Sequence, residues 1–220
     1  MFVKMARTTF FSFHYKDVES FRVNVVRNSS MFKKPGDTSK VIDGSIWEEA
    51  ELKGDAALIR LVNENLVGTS VTAVLIGTET HSRRWVKYEL VKSFVNGNAI
   101  LGVNLNRIRE RETSTITPKG LNPLDRLAIY VPDDYRTLTF LELVNGRWQT
   151  FALLPQVLNR KSNSIYFEKS LRAYLGMVGD QDRKIRFSAL FDTFCWKTDD
   201  GYNNLASWAE GALAKKTHQF

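Results

Sequence analysis

Hydrophobic and polar positions change rhythm several times along this chain, and each change marks an element. Residues 7–14, RTTFFSFH, form a β-branched and aromatic run that reads as a first strand. The following VESFRVNVVRNSSMF repeats apolar residues at helical spacing through Val18, Phe21, Val25 and Val26, with Asp17 as its N-cap. KKPGDTSK reads as a loop by its Pro-Gly and polar content, and residues 40–44 as a brief second strand. A second helix is expected over residues 48–66, with Leu52, Ala56, Ile59, Leu61 and Val62 as its inner stripe and Gly68 as its stop. Residues 70–77, SVTAVLIG, are nearly continuous in apolar character, the pattern of a parallel strand buried on both faces. Residues 78–82 are a polar turn, Ser82 caps a helix running to Asn96, and residues 99–105 are another apolar strand.

Strand and helix therefore alternate through the first half, which argues for a three-layer α/β domain with a central parallel sheet. From Ile108 onward the rhythm changes. RIRERETSTITPKGLNPLD is polar and irregular, and TLTFLELVNGRWQTF reads as a hairpin turning at Asn145-Gly146. A helix is expected at FEKSLRAYL, residues 167–175, followed by an end rich in aromatics: Phe187, Phe191, Phe194, Trp196, Tyr202 and Trp208. These aromatics make the tail too apolar for a linker. The expectation is one domain over residues 5–220, with a core at about 7–106 and an elaboration at about 107–220. Met5 is an alternative start to Met1.

Composition narrows the class. With 220 residues, 43% hydrophobic and 25% charged, the chain has the apolar content of a globular protein rather than a disordered one. A single cysteine, Cys195, excludes an internal disulfide framework and a multi-cysteine zinc site. No window reaches the length of a membrane span and the N-terminus lacks an apolar leader, so the expectation is a cytoplasmic protein. A formal net charge of +7 raises nucleic-acid binding, but no more than two basic residues stand together. A phosphate-bearing small substrate accounts for the charge equally well. Charge alone does not choose.

A parallel sheet places its ligand at the carboxyl ends of its strands. Residues 10–15, 43–47 and 78–89 meet there. Trp85 and Glu89 are four apart on one helix face, flanking an inward stripe of Val86, Leu90 and Phe94. Glu89 is thus expected at the edge of the buried surface. An aromatic wall beside a half-buried carboxylate suits a site where positive charge develops on a ribose. Arg83 and Arg84 fall in the first turn, where the helix dipole disfavours cations. A bound pyrophosphate reconciles them, and so do two solvated arginines; spacing alone favours the second.

Three stretches carry a family resemblance: FFSFHYKD, GSIWEEA and SVTAVLIGTETHSRRWVKYEL. They resemble the TIR-like family of Thoeris antiphage proteins, the ThsB type. Its most informative pattern is a buried strand, a polar turn and then Ser82, Trp85, Glu89 and Leu90. VNVVRNS in the first helix and DDGYNNLASW in the tail look similar as well. The resemblance implies a flavodoxin-like TIR fold and cleavage of the nicotinamide–ribose bond of NAD. It implies a cyclic ADP-ribose isomer as product, made on infection and read by a separate effector protein. NAD is the substrate, and no resident cofactor or metal is implied. The family's catalytic glutamate falls on Glu89, and its first-strand nucleotide contacts on Phe10 and Ser12. His14, Trp47, Arg84 and Trp85 complete the expected substrate-binding set, and Phe13 joins the candidates for a dry lining.

The chemistry is consistent with one carboxylate. Nicotinamide departs as a neutral base from a cationic pyridinium, so no acid is needed to protonate it, unlike the oxygen leaving group of an ordinary glycoside. Other constellations are weak. His14, His81 and His218 lack metal-ligand spacing, Gly77 stands where a phosphoacceptor aspartate would, and no Walker-type loop is present. The alternative from another class is a non-catalytic TIR-like adaptor that acts by assembly. A phage-derived trigger and a homo-oligomer fit either reading; a membrane partner does not, and nucleic acid is disfavoured.

Overall fold

The computed structural model describes residues 7–15, 21–33, 36–159 and 183–218. Its centre is a five-stranded parallel sheet. The strands are β1 (Arg7–Ser12), β2 (Asp37–Lys40), β3 (Val71–Ile76), β4 (Ala99–Asn104) and β10 (Thr193–Cys195), in the order β10-β4-β3-β1-β2. Read from the other edge this is the flavodoxin-like 2-1-3-4-5 order, with the fifth strand supplied by the tail. All six residues of β3 and all six of β4 are buried, which explains their nearly continuous apolar runs.

Alternation in β1 splits the core in two. Phe10 packs with Val74, Ile76, Val86, Leu90 and Phe94 on one face, and Phe11 with Val23, Val26, Ala73 and Leu75 on the other. The first face is covered by α3 (Asp55–Leu66) and α4 (Arg84–Asn96), the second by α1 (Arg22–Arg27) and α6 (Gly201–His218). Arg7 and Asp37 lie directly opposite in the β1–β2 register and form two hydrogen bonds of 2.9 Å, both buried. Arg7 also reaches Ala206 O and Glu210 of α6, tying the tail helix to the sheet edge.

A second, antiparallel sheet packs outside α4. It comprises β5 (Leu127–Tyr130), β6 (Thr137–Val144), β7 (Arg147–Thr150), β8 (Gln156–Leu158) and β9 (Lys184–Arg186). The Asn145-Gly146 turn joins β6 to β7 as expected, with positive φ at both residues, 48° and 77°. Phe140, Phe151, Ile185 and Phe187 extend the α4 core outward, and Phe94 stacks on Phe187 at 5.3 Å. Phe187 opens α5 (Phe187–Leu190).

Several local expectations are corrected. The first helix is shorter, and its inner positions are Arg22, Val23 and Val26, while Phe21 and Val25 are exposed. The second strand falls at Asp37–Lys40, inside the stretch read as loop. The expected helix over 48–66 is two helices, α2 (Gly44–Leu52) and α3, broken at Gly54 with φ 89°. Leu52 is 91% exposed at that break and Ala56 is exposed, so the stripe is Leu58, Val62 and Leu66. Ser82 does not cap α4; it closes a 3₁₀ turn and donates to Glu79 O, leaving Arg83 at the cap position. Asp17, Val18 and the helix expected at 167–175 lie outside the described residues.

Candidate functional site

The carboxyl ends of β1 and β2, with the starts of α2 and α4, enclose a cavity of about 460 Å³. Glu89 stands in its wall. Its position on α4, between Val86 and Leu90, turns it inward, and it is only 5% exposed. This is deeper than the edge position expected from spacing. Ser12 at the end of β1 donates a 2.5 Å hydrogen bond to Glu89 Oε2. Burial pushes the Glu89 carboxyl up from an ordinary 4.5 to about 8, and the Ser12 bond pulls the other way without offsetting it. Burial thus favours the protonated form of Glu89 near neutral pH.

Aromatic rings build the rest of the wall. Asp43 caps α2 through the Ser45 amide at 2.9 Å, which sets Trp47 in the first turns facing α4. Trp47 meets Trp85 edge-to-face at 6.0 Å, and Trp85 meets Tyr88 in the same way at 5.9 Å. Phe13 and Tyr15 close the β1 side. Gly44 leaves room for the Tyr15 ring, since a Cβ there would stand 3.0 Å from it.

The two arginines behave differently from the dipole argument. Arg83 is bonded to Glu79, and Arg84 makes two bonds to Asp55 of α3, at 3.1 and 2.5 Å, while lying 5.1 Å over the Trp85 ring. Carboxylates of the chain itself balance both cations, so no bound anion is needed to explain them. His14 lines the cavity with its Nε2 3.6 Å from Glu79.

Of the expected site residues, the structure gathers His14, Trp47, Arg84, Trp85 and Glu89 around one cavity, with Ser12 bonded to Glu89. Phe10 is not among them. It is fully buried one pleat below Ser12, packed in the core, because residues 10 and 12 share a strand face but only the later one reaches the strand end. Glu48 and Glu51 of α2 also line the cavity and were not anticipated. Their helix was expected to start only at residue 48, and the break at Gly54 that aims α2 at the site has no apolar signature.

This geometry coincides with a match to known proteins. Residues 10–110 match the family described as Thoeris protein ThsB, TIR-like domain. A protein of Bacillus cereus (strain MSX-D12) named "Putative cyclic ADP-D-ribose synthase ThsB1" is 40% identical over 205 residues, 93% of this chain and 99% of the relative. The chain belongs to the ThsB family of TIR-like proteins. The ThsB domain match runs from within β1 to just past β4, so it covers the cavity but not the second sheet. The similarity to the Bacillus relative runs through both halves. Among the described residues of this ThsB-family chain, no helix is long and apolar enough to cross a membrane, and no group of three His, Cys, Asp or Glu side chains is placed to hold a metal ion.

Proposed function

We propose that this chain cleaves the nicotinamide–ribose bond of NAD and closes the ADP-ribose into a cyclic isomer, with Glu89 as its catalytic carboxylate. The observation that carries the proposal is a buried carboxylate, bonded to Ser12, in the wall of an aromatic cavity at the strand ends. The name of the Bacillus relative supports the product class.

The residues suggest a sequence of events. Burial raises the carboxyl to about 8, and a cationic nicotinamide ring beside it favours the ionised form. The ionised Glu89 then faces the ribose carbon on which positive charge grows as the carbon–nitrogen bond breaks, with the bonding pair leaving on the nicotinamide nitrogen. Trp47, Trp85 and Phe13 exclude water, so that a group of the same molecule attacks instead. His14 and Arg84 contact the remainder of the dinucleotide, and Arg84 does so only in competition with Asp55. The protein acts in the cytoplasm without a resident cofactor. Its product reaches a separate effector, and a phage-derived trigger and self-assembly complete the scheme.

Incubation of the purified protein with NAD tests the proposal. The expected products are nicotinamide and a nucleotide one water lighter than ADP-ribose, and a protein-free filtrate should activate the cognate effector. Activation that requires the protein itself in the mixture supports an adaptor role instead.

A further inference from the structure

The charges on the cavity wall are distributed unevenly. Its arginines are already engaged by carboxylates of the chain: Arg83 by Glu79, and Arg84 by Asp55. Glu48 and Glu51 of α2 line the same cavity, yet among the described residues their carboxylates bear no hydrogen bond or ion pair. They are three residues apart and therefore neighbours on one helix face, and both are exposed. Glu49, between them in sequence, is instead paired with Lys53 at 2.6 Å. Among the described residues of this mouth the uncompensated charge is thus negative, although the chain carries a net +7.

We propose that Glu48 and Glu51 make the cavity specific for a dinucleotide whose adenosine ribose is unphosphorylated, by accepting hydrogen bonds from its hydroxyls and repelling a 2′-phosphate. The inference rests on the functional reading above. Ser12 and Glu89 form the buried end, where the reacting ribose belongs, so the adenosine half lies toward the exposed wall of α2. A ribose diol offers two hydroxyl donors, and ionised carboxylates offer only acceptors, so the two are complementary. A phosphate in place of one hydroxyl removes a donor and sets about two negative charges against two more. Dinucleotide-binding folds of other kinds use the same logic, with an acid at the ribose for the unphosphorylated form and an arginine for the phosphorylated one. At this mouth the arginines are spoken for and the acids are not.

The effect is electrostatic and near the surface, so it should yield to salt as well as to mutation. Calorimetric titration of NAD and NADP into the full-length protein reads it directly, in about 0.01 M and about 1 M salt. The expected result at low salt is binding of NADP at least tenfold weaker than NAD. The gap should narrow severalfold at high salt, and likewise in the Glu48→Gln/Glu51→Gln double variant at low salt. Equal affinities in the wild type, or a gap that survives the double substitution, overturns the proposal. Nicotinamide release is measured on the same preparations. Affinities in the expected order without any release leave this inference standing and remove the enzymatic reading. Release from NAD and NADP with equal kcat/KM does the reverse, and binding of neither dinucleotide removes both.

Discussion

Glu89 is held in a conflict between burial and charge. Burial favours the protonated carboxyl near neutrality, whereas the proposed chemistry uses the ionised form. Two predictions follow from that tension. Because the folded value is raised from about 4.5 to about 8, this group favours folding fully below pH 4.5 and loses that contribution as pH rises toward 8. The loss amounts to a few kcal/mol at most. Replacing Glu89 with Gln removes the titration, so the variant should match the wild type in denaturant unfolding at pH 5 and exceed it at pH 8. Spacing places Glu89 at the edge of the buried surface; its actual depth is what makes the substitution felt in stability. The second prediction concerns turnover. With the carboxylate as the active form, kcat/KM for NAD should rise about tenfold per pH unit below an inflection near 8. Ser12→Ala deletes the bond that lowers the value, so its inflection should move to higher pH. An inflection that stays in place would separate Ser12 from the ionisation.

At the scale of elements, α4 is the piece on which the site depends, and it is gripped from both sides. Tyr88 Oη bonds Asn63 of α3 at 3.1 Å, while Lys87 Nζ bonds Glu142 of β6 at 2.8 Å with the two side chains 9% and 14% exposed. Removing one member of a buried pair leaves a charge without its counter-ion. Glu142→Ala should therefore lower stability by about 3–5 kcal/mol, whereas Lys87→Met with Glu142→Leu should cost far less. Chemical denaturation of the two variants makes the comparison. The parallel strands and α4 were legible in the sequence because β3 and β4 are wholly buried and therefore apolar but for Thr72 and Asn104. The second sheet was legible only at Asn145-Gly146, where the turn chemistry is local; its other strands are short and pair at long range. Phe10 lies in the core rather than on the cavity, and Glu48 and Glu51 line it without a signal in the sequence, for a related reason. The depth of a residue along a strand, and the aim of a helix after a glycine break, are set by packing rather than by period.

For the whole molecule, the tail completes the sheet. Trp196 N bonds Asn104 O at 3.1 Å and Gly102 N bonds Asp192 O at 2.8 Å, so β10 satisfies the open edge of β4. Trp208 of α6 stacks on Phe194 at 4.4 Å and covers the face opposite the cavity, although Tyr202 stays exposed and bonds Lys33. We predict that a chain ending at about Ser164 is insoluble or molten, because it bares the β4 edge together with the apolar face under α6. A soluble fragment ending there that melts cooperatively would show the first half to be an independent domain.

The most direct measurement of the central claim is NAD turnover by Glu89→Gln beside the wild type, with both in the activated state. The substitution keeps the size of the side chain and its ability to accept from Ser12 but removes the negative charge. Loss of one preorganised electrostatic partner should lower nicotinamide release by about 100-fold or more, with the unfolding transition intact. Wild-type turnover by a folded Glu89→Gln protein would contradict the account.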